Sequence, residues 1–397
     1  MKEAEGKIKR VFLIVLDSFG IGEAPDAKIF GDAGANTLKS VWQTGILKLD
    51  NLKRLGFGSI EGTEFLGASV SNAVCARMRE ASNGKDTTVG HWEIAGHISA
   101  DPLPTFPEGF SEDILDIVRR ISKRPVLCNK PYSGTKVIAD YGQESIDRNA
   151  IIVYTSADSV LQIAAHTDML PLEELYEICE RLRAELVGPE MGVGRIIARP
   201  FVGDSKNGFV RTADRRDYSL PPPAVLLPEA LFNGGFDSIA IGKISDIFAD
   251  VKFTNTQRTH SNKEGMALAL EYMKKDFNGL CFVNLVDFDM IYGHRRDAVG
   301  YANALNEFDE WLGSAIDCLG ESDLLMITAD HGCDPCFNKT TDHTREYTPL
   351  IIYNPYLKAE NIGTRNTFAD IGATAAKYLG LEYDNCGEAI NLDFLRK

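Results

Sequence analysis

The 397-residue chain can bury one large core or two moderate ones, and with 44% hydrophobic and 25% charged residues it reads as globular rather than disordered. A formal net charge of −15 excludes an extended nucleic-acid surface, because phosphate backbones are gripped by clustered Lys and Arg; any phosphate must be held by local cations. Eight cysteines without dense spacing fit reduced thiols in a cytoplasmic protein.

The first predicted element is an apolar run, Val11 to Leu16, that stops at Asp17. Lys7, Lys9 and Arg10 ahead of it imitate a signal peptide, but the run is too short for a secretory core, and no other run is long enough to span a bilayer. Gly20-Ile21-Gly22-Glu23-Ala24-Pro25 follows. It opens like a dinucleotide fingerprint, yet Pro25 stands where the third glycine belongs, so a Rossmann site is rejected and the two glycines are read as shaping the turn beyond Asp17.

Further along, Lys85-Asp86-Thr87-Thr88-Val89-Gly90-His91-Trp92-Glu93 is by itself a polar turn carrying a hydroxyl. Pro102, Pro104 and Pro107 on one side and Pro221-Pro222-Pro223 on the other read as semi-rigid connectors. Between them lie strands at Ile151 to Thr155 and Arg195 to Val202 and a helix from Leu172 to Leu186 with Leu175, Ile178 and Leu182 inward, which reads as an inserted cap over 103–220. Downstream, Leu280 to Val286 leads into Asp287 and Asp289, and Leu324 to Thr328 leads into Asp330-His331. One helix places Leu305, Phe308, Leu312, Ala315, Ile316 and Leu319 on a single face before Gly320; another runs from Phe368 to Leu379 between Thr367 as N-cap and Gly380. The alternation predicts an α/β fold, a sheet flanked by helices with a smaller α/β insertion.

Ligands of open α/β sheets bind beyond the carboxyl ends of strands, so Asp17, Asp289 and Asp330 point to one crevice. Asp289 and His294, five apart, suit Mn, Fe or Zn, although alone they are also read as an acidic loop beside a satisfied histidine. Asp330-His331 after a buried strand is the stronger signal, since a charged pair there needs a reason to be tolerated. His343 alone is a surface histidine. Jointly they supply three carboxylates and three imidazoles, enough for two cations bridging a phosphoryl group, with Thr87 as the hydroxyl such ions would activate.

Several segments carry a resemblance: Leu16 to Ala27, Lys85 to Glu93, Tyr154 to Gln162, Ile241 to Asp246, Val286 to Asp289, Gly293 to Asp297 and Asp342 to Glu346. In these the chain resembles the prokaryotic phosphopentomutases of the alkaline phosphatase superfamily. The resemblance implies an alkaline-phosphatase-like core over 1–102 and 221–397 with a substrate-binding cap between. It implies one manganese at Asp17, Asp330, His331 and Thr87, a second at Asp289, His294 and His343, and phosphorylation of Thr87. Ser156, Asp158, Arg195, Ile197 and Lys243 would contact the ribose phosphate. The implied reaction interconverts ribose 1-phosphate and ribose 5-phosphate, and the deoxyribose pair, through ribose 1,5-bisphosphate. Glucose 1,6-bisphosphate or ribose 1,5-bisphosphate would act as activator, and the only partners implied are small sugar phosphates, with no nucleic acid, membrane or obligate protein. A metal-dependent phosphatase on the same scaffold and a noncatalytic sugar-phosphate sensor are the alternatives. Two positions depart from the family pattern: Val89, where a threonine is common, and Cys333, where Asn is usual. Cys333 and Cys336 are read as ordinary loop thiols, with sensitivity to oxidation or zinc as the sharper hypothesis.

Overall fold

The computed structural model describes residues 8–67, 71–156, 159–188, 191–339 and 342–395. The chain divides into two compact units, Met1–Ala100 with Pro222–Lys397 and Asp101–Pro221.

The first unit is built on an eight-stranded sheet in the order Asn255–Gln257, Asp237–Ile241, Gly279–Leu285, Arg10–Leu16, Asp323–Thr328, Thr348–Tyr353, Val74–Met78, Glu360–Arg365. Thr348–Tyr353 runs against its neighbours, and the other strands share one direction. Val11 to Leu16 lies at the centre with 0% exposure, which is why it reads as an unbroken apolar run: a parallel strand covered on both faces has no solvent side on which to alternate. The helix expected around Leu305 is Ala298–Asp317, and Leu305, Phe308, Leu312 and Ala315 enter the main core. It ends before Gly320, whose N–H donates to Asp323 Oδ2 at 2.6 Å and turns the chain into the next strand. The last helix is Ala369–Leu379, closed by Gly380 at φ 84° as expected; its N-cap is Phe368 rather than the expected Thr367, whose Oγ1 nonetheless accepts from Ala369 N at 3.0 Å.

The second unit has its own sheet, in the order Val126–Pro131, Ile151–Thr155, Val160–His166, Arg195–Asp204, Gly208–Arg211, with Arg216–Ser219 also pairing against Arg195–Asp204. Helices Glu112–Ser122 and Leu172–Glu185 pack one face through Ile114, Val118, Leu175 and Leu182 against Val153, Ile163 and Ile196. Helix Gly134–Asp147 covers the opposite face through Val137 and Ile138 against Ile152, Tyr154 and Phe201. No helix among the described residues is long and apolar enough to cross a membrane.

Candidate metal centre

Strand direction explains why the predicted ligands meet. Asp17 follows Arg10–Leu16, Asp289 follows Gly279–Leu285 and Asp330 follows Asp323–Thr328, all at carboxyl ends of parallel strands. His343 precedes Thr348–Tyr353, and because that strand is antiparallel its start lies at the same sheet edge. Asp17, Asp330 and His331 form one group and Asp289, His294 and His343 another, with the ligand atoms of each group within 4.8 Å of one another. The groups adjoin: the His331 and His343 rings stack with centroids 3.9 Å apart.

Within the first group His331 Nε2 lies 3.5 Å from Asp17 Oδ1, 3.3 Å from Asp330 Oδ2 and 3.1 Å from Thr87 Oγ1. In the second, His343 Nε2 is 3.1 Å from His294 Nε2 and 3.4 Å from Asp289 Oδ1, while His294 Nε2 is 3.3 Å from Asp289 Oδ2. Donors bound at about 2.0–2.2 Å around one ion stand about 3.0–3.5 Å apart, so this spacing fits a cation between them. Asp17 Oδ1, Asp289 Oδ1 and Asp330 Oδ2 are buried and accept no hydrogen bond among the described residues, a cost of about 1–3 kcal/mol each that a bound cation would relieve. Mixed carboxylate and imidazole donors suit a divalent transition metal.

The electrostatics agree. Burial, then repulsion from Asp330 and Asp289, pushes the Asp17 carboxyl up to about 7. Burial opposes ionisation of Asp330 too, but His331 and His91 hold it down to about 2. Burial drives His331 down to about 4, which keeps it a neutral ligand. Without added positive charge the first group therefore carries an anionic excess that it relieves by protonating Asp17.

Thr87 opens helix Thr87–Ile94, whose N-cap Asp86 accepts from Thr88 N and Val89 N. Gly90 lets the helix approach: a Cβ there would stand 2.3 Å from the Asp330 carbonyl oxygen. Glu93 fixes the other end, accepting from Ala81 N and Ser82 N at 2.8 and 2.6 Å and from Phe368 N at 2.8 Å. Arg345, only 2% exposed, ties the loop before Thr87 by donating to Glu80 Oε2 and the Gly84 carbonyl at 2.5 Å and to Asp26 Oδ2 at 3.0 Å.

Asp289 and His294 owe their meeting to a π-helical turn, Phe288–Gly293, closed by His294 N donating to the Asp289 carbonyl at 3.0 Å. In an α-helix residues five apart point to different faces; the wider turn aligns them.

Four neighbours carry no role in the sequence reading. His91 Nδ1 lies 2.8 Å from the Thr87 carbonyl, which can only accept, so this nitrogen bears the proton, and it stands 3.1 Å from Asp330 Oδ2. Asn284 Nδ2 donates to Asp17 Oδ2 at 2.8 Å. Ser18, left-handed at φ 71°, donates its N–H to Asp330 Oδ1 at 3.0 Å, and its hydroxyl lies 3.3 Å from that of buried Tyr301. Only His91 left a signal, standing four residues from Thr87, one helical turn.

Of the expected sugar-phosphate contacts, Lys243 lies in the first unit, where its charge is felt at Asp17. Ser156, Arg195 and Ile197 lie in the second, Ile197 buried and Arg195 Nη1 3.8 Å from Asp217 Oδ2. Asp158 falls outside the described residues. Cys333 is a buried free thiol, pushed up to about 12 by burial, and Cys336 is exposed. A thiol so protonated is a poor nucleophile, which favours the ordinary reading of Cys333.

A family model described as the metalloenzyme superfamily matches residues 9–383. A curated protein named phosphopentomutase from Lachnoclostridium phytofermentans is 53% identical over 393 residues, covering 98% of this chain and 100% of that protein. Another of that name, from Limosilactobacillus reuteri, is 49% identical over 381 residues, covering 94% and 96%. A solved structure of phosphoglycerate mutase from Leishmania mexicana, 12% identical with a TM-score of 0.49, covers 99% of each chain.

Proposed function

The chain belongs to the metalloenzyme superfamily and, within it, to the phosphopentomutases, enzymes of the isomerase class, and from that premise we propose that it interconverts α-D-ribose 1-phosphate and D-ribose 5-phosphate, and the 2-deoxyribose pair, through a phosphothreonine at Thr87. The observation that carries this reading is the Thr87 hydroxyl, 3.1 Å from His331 Nε2 at the junction of two adjoining carboxylate and imidazole groups. Two divalent cations, manganese on this reading, would be held by Asp17, Asp330, His331 and Thr87 and by Asp289, His294 and His343, and would supply charge neutralisation at the transferring phosphoryl group.

The remaining work belongs to the chain. Phosphothreonine sits at a helix N-terminus, where the dipole favours a dianion. The 5-hydroxyl of ribose 1-phosphate attacks phosphorus, the bond to Thr87 Oγ1 breaks, and the hydroxyl proton ends on Thr87, giving ribose 1,5-bisphosphate. In the second half Thr87 Oγ1 attacks the C1 phosphate; the bond from phosphorus to O1 breaks, the proton passes to O1, and ribose 5-phosphate leaves with Thr87 phosphorylated again. Arg195 and Lys243 hold the nonreacting phosphate, Asp158 accepts from ribose hydroxyls, and Ser156 and Ile197 complete the contacts, which assigns the second unit to substrate binding. A sugar bisphosphate, glucose 1,6-bisphosphate or ribose 1,5-bisphosphate, primes Thr87. The partners are small sugar phosphates, with no nucleic acid, membrane or obligate protein, in the cytoplasm.

A phosphorus NMR time course with manganese, ribose 1-phosphate and trace glucose 1,6-bisphosphate tests this. Ribose 5-phosphate with little inorganic phosphate is expected. Inorganic phosphate alone would make the chain a phosphatase, and no change would leave it a sensor.

A further inference from the structure

Of the segment Asp342 to Glu346, the two ligand groups use only His343. Its neighbours reach the other parts of the centre. Thr344 and Gly332, the residue after His331, exchange backbone hydrogen bonds in both directions, at 2.7 and 3.1 Å. Arg345 N donates to Asp32 Oδ2 at 2.9 Å, and the same carboxylate accepts at 3.0 Å from the Nζ of Lys85, two residues before Thr87.

The Arg345 side chain makes the closer connection. Its five N–H donors form five bonds: Nε to Asp26 Oδ1 at 3.2 Å, Nη1 to Glu80 Oε2 and to the Gly84 carbonyl at 2.5 Å each, Nη2 to Asp26 Oδ2 at 3.0 Å and to the Glu80 carbonyl at 2.8 Å. Glu80 and Gly84 belong to the stretch 79–86 between strand Val74–Met78 and helix Thr87–Ile94, and among the described residues neither carbonyl accepts from a backbone N–H. Arg345 supplies the bonds that secondary structure does not. Gly84 in turn lies against the helix that Thr87 opens, since a Cβ there would stand 3.1 Å from Val89 Cγ1. A buried ion cluster adds little net stability over apolar packing; what a planar guanidinium adds is fixed direction.

We propose that Arg345 is a positioning residue for Thr87, through which the stretch 79–86 and the ligand His343 are held as one piece, so that filling the second ligand group orders the approach to the nucleophile. The tie runs from His343 two residues along the chain to Arg345, across the guanidinium to Gly84, and through Gly84 to helix Thr87–Ile94. Its bearing on phosphoryl transfer rests on the mutase reading; the tie itself does not.

Hydrogen exchange over 79–86, read by mass spectrometry on the full-length protein with and without manganese, tests the tie. The comparison is made in Thr87→Ala, which removes any protection that ligation of the Thr87 hydroxyl would itself give. Manganese is expected to slow exchange over 79–86 about tenfold in Thr87→Ala and less than about twofold in Thr87→Ala with Arg345→Lys, while the peptide carrying His343 stays protected in both. Lysine keeps the charge beside Asp26 and Glu80 but cannot form the five bonds. Asp26→Asn leaves the guanidinium in place and weakens two of its bonds at a side chain 21% exposed; in the same background it is expected to fall between the other two and decides the matter should the lysine variant not fold. Protection over 79–86 that is equal in all three proteins, or already absent in Thr87→Ala alone, would overturn the proposal. With Thr87 present, Arg345→Lys is expected to lower kcat for ribose 1-phosphate about 100-fold with KM within about twofold, because a guanidinium with all its donors engaged has none for substrate. A merely structural arginine would lower the melting temperature and leave kcat of the folded protein unchanged, which also overturns the proposal. Absent turnover in wild type ends the mutase reading and leaves the tie to the exchange measurement.

Discussion

The two ligand groups adjoin but are built differently. Asp17, Asp330 and His331 give two carboxylates and one imidazole with fully buried side chains, and Ser18, Asn284 and His91 each engage one of the carboxylates. Asp289, His294 and His343 give one carboxylate and two imidazoles, and the His294 side chain is 33% exposed. The first group is anionic, sealed and braced, and it touches Thr87. The second is closer to neutral and reachable from solvent. On the proposed reading a nucleophile needs fixed geometry, whereas an arriving phosphoryl oxygen needs access, and the two groups would divide those demands between them.

Removing the nucleophile tests the division most severely. Thr87→Ala is expected to lose at least about 10⁴-fold in mutase turnover and all phosphoryl adduct by intact mass after exposure to glucose 1,6-bisphosphate, while still binding metal at the second group. An adduct of equal yield on the variant would remove Thr87 from the mechanism. Next comes a paired comparison. Asp330→Asn should cost about 10³-fold in turnover, because it neutralises a sealed carboxylate that also holds Ser18 and His91; His294→Asn, at the solvent edge, should cost about 10- to 100-fold and be partly restored by excess manganese. Equal losses, equally rescued, would erase the distinction between the groups.

Glu346 underlies the loops of both groups, accepting from Gly22 N, Thr37 N and the Thr37 and Thr344 hydroxyls while fully buried. Burial pushes its carboxyl up to about 7, against 4.5 ordinarily, so the folded state holds a proton that the unfolded state has released between those values. The contribution of Glu346 to stability falls as pH rises through that window and is constant below and above it. Glu346→Gln removes this titration. Measured in chelator, wild type should lose roughly 3 kcal/mol relative to the variant between pH 4.5 and 7 by denaturant unfolding. A pH-independent difference would show that Glu346 stays ionised.

Much of this was legible in the sequence where one local pattern decides the outcome. Val11 to Leu16 before Asp17, and Asp323–Thr328 before Asp330, announce buried parallel strands and their crevice because continuous apolar character and a terminal acid are both local features. The alignment of Asp289 with His294 needed a π turn that spacing alone does not specify. Asn284 was hidden within a strand, where its register against Val15 and the reach of its amide to Asp17 are tertiary facts.

His91 gives the finest test of the contrast, because it touches both the backbone of Thr87 and a carboxylate of the first group. Its protonated Nδ1 donates to the Thr87 carbonyl and stands 3.1 Å from Asp330 Oδ2, and its Nε2 lies 3.3 Å from the Asn284 amide that reaches Asp17. An Asn amide nitrogen can take the place of Nδ1, whereas a Gln amide reaches toward Nε2. His91→Asn should therefore retain more manganese affinity than His91→Gln, with losses near tenfold and near 100-fold in turn, the range expected when a residue supporting a metal ligand is removed. Turnover of the Asn variant at saturating manganese should return to within a few-fold of wild type, since Thr87 and the ligands are untouched. The reverse order would mean that His91 acts through Asn284 and Asp17, and bracing of the first group would then run from the strand Gly279–Leu285 rather than from the helix that carries the nucleophile.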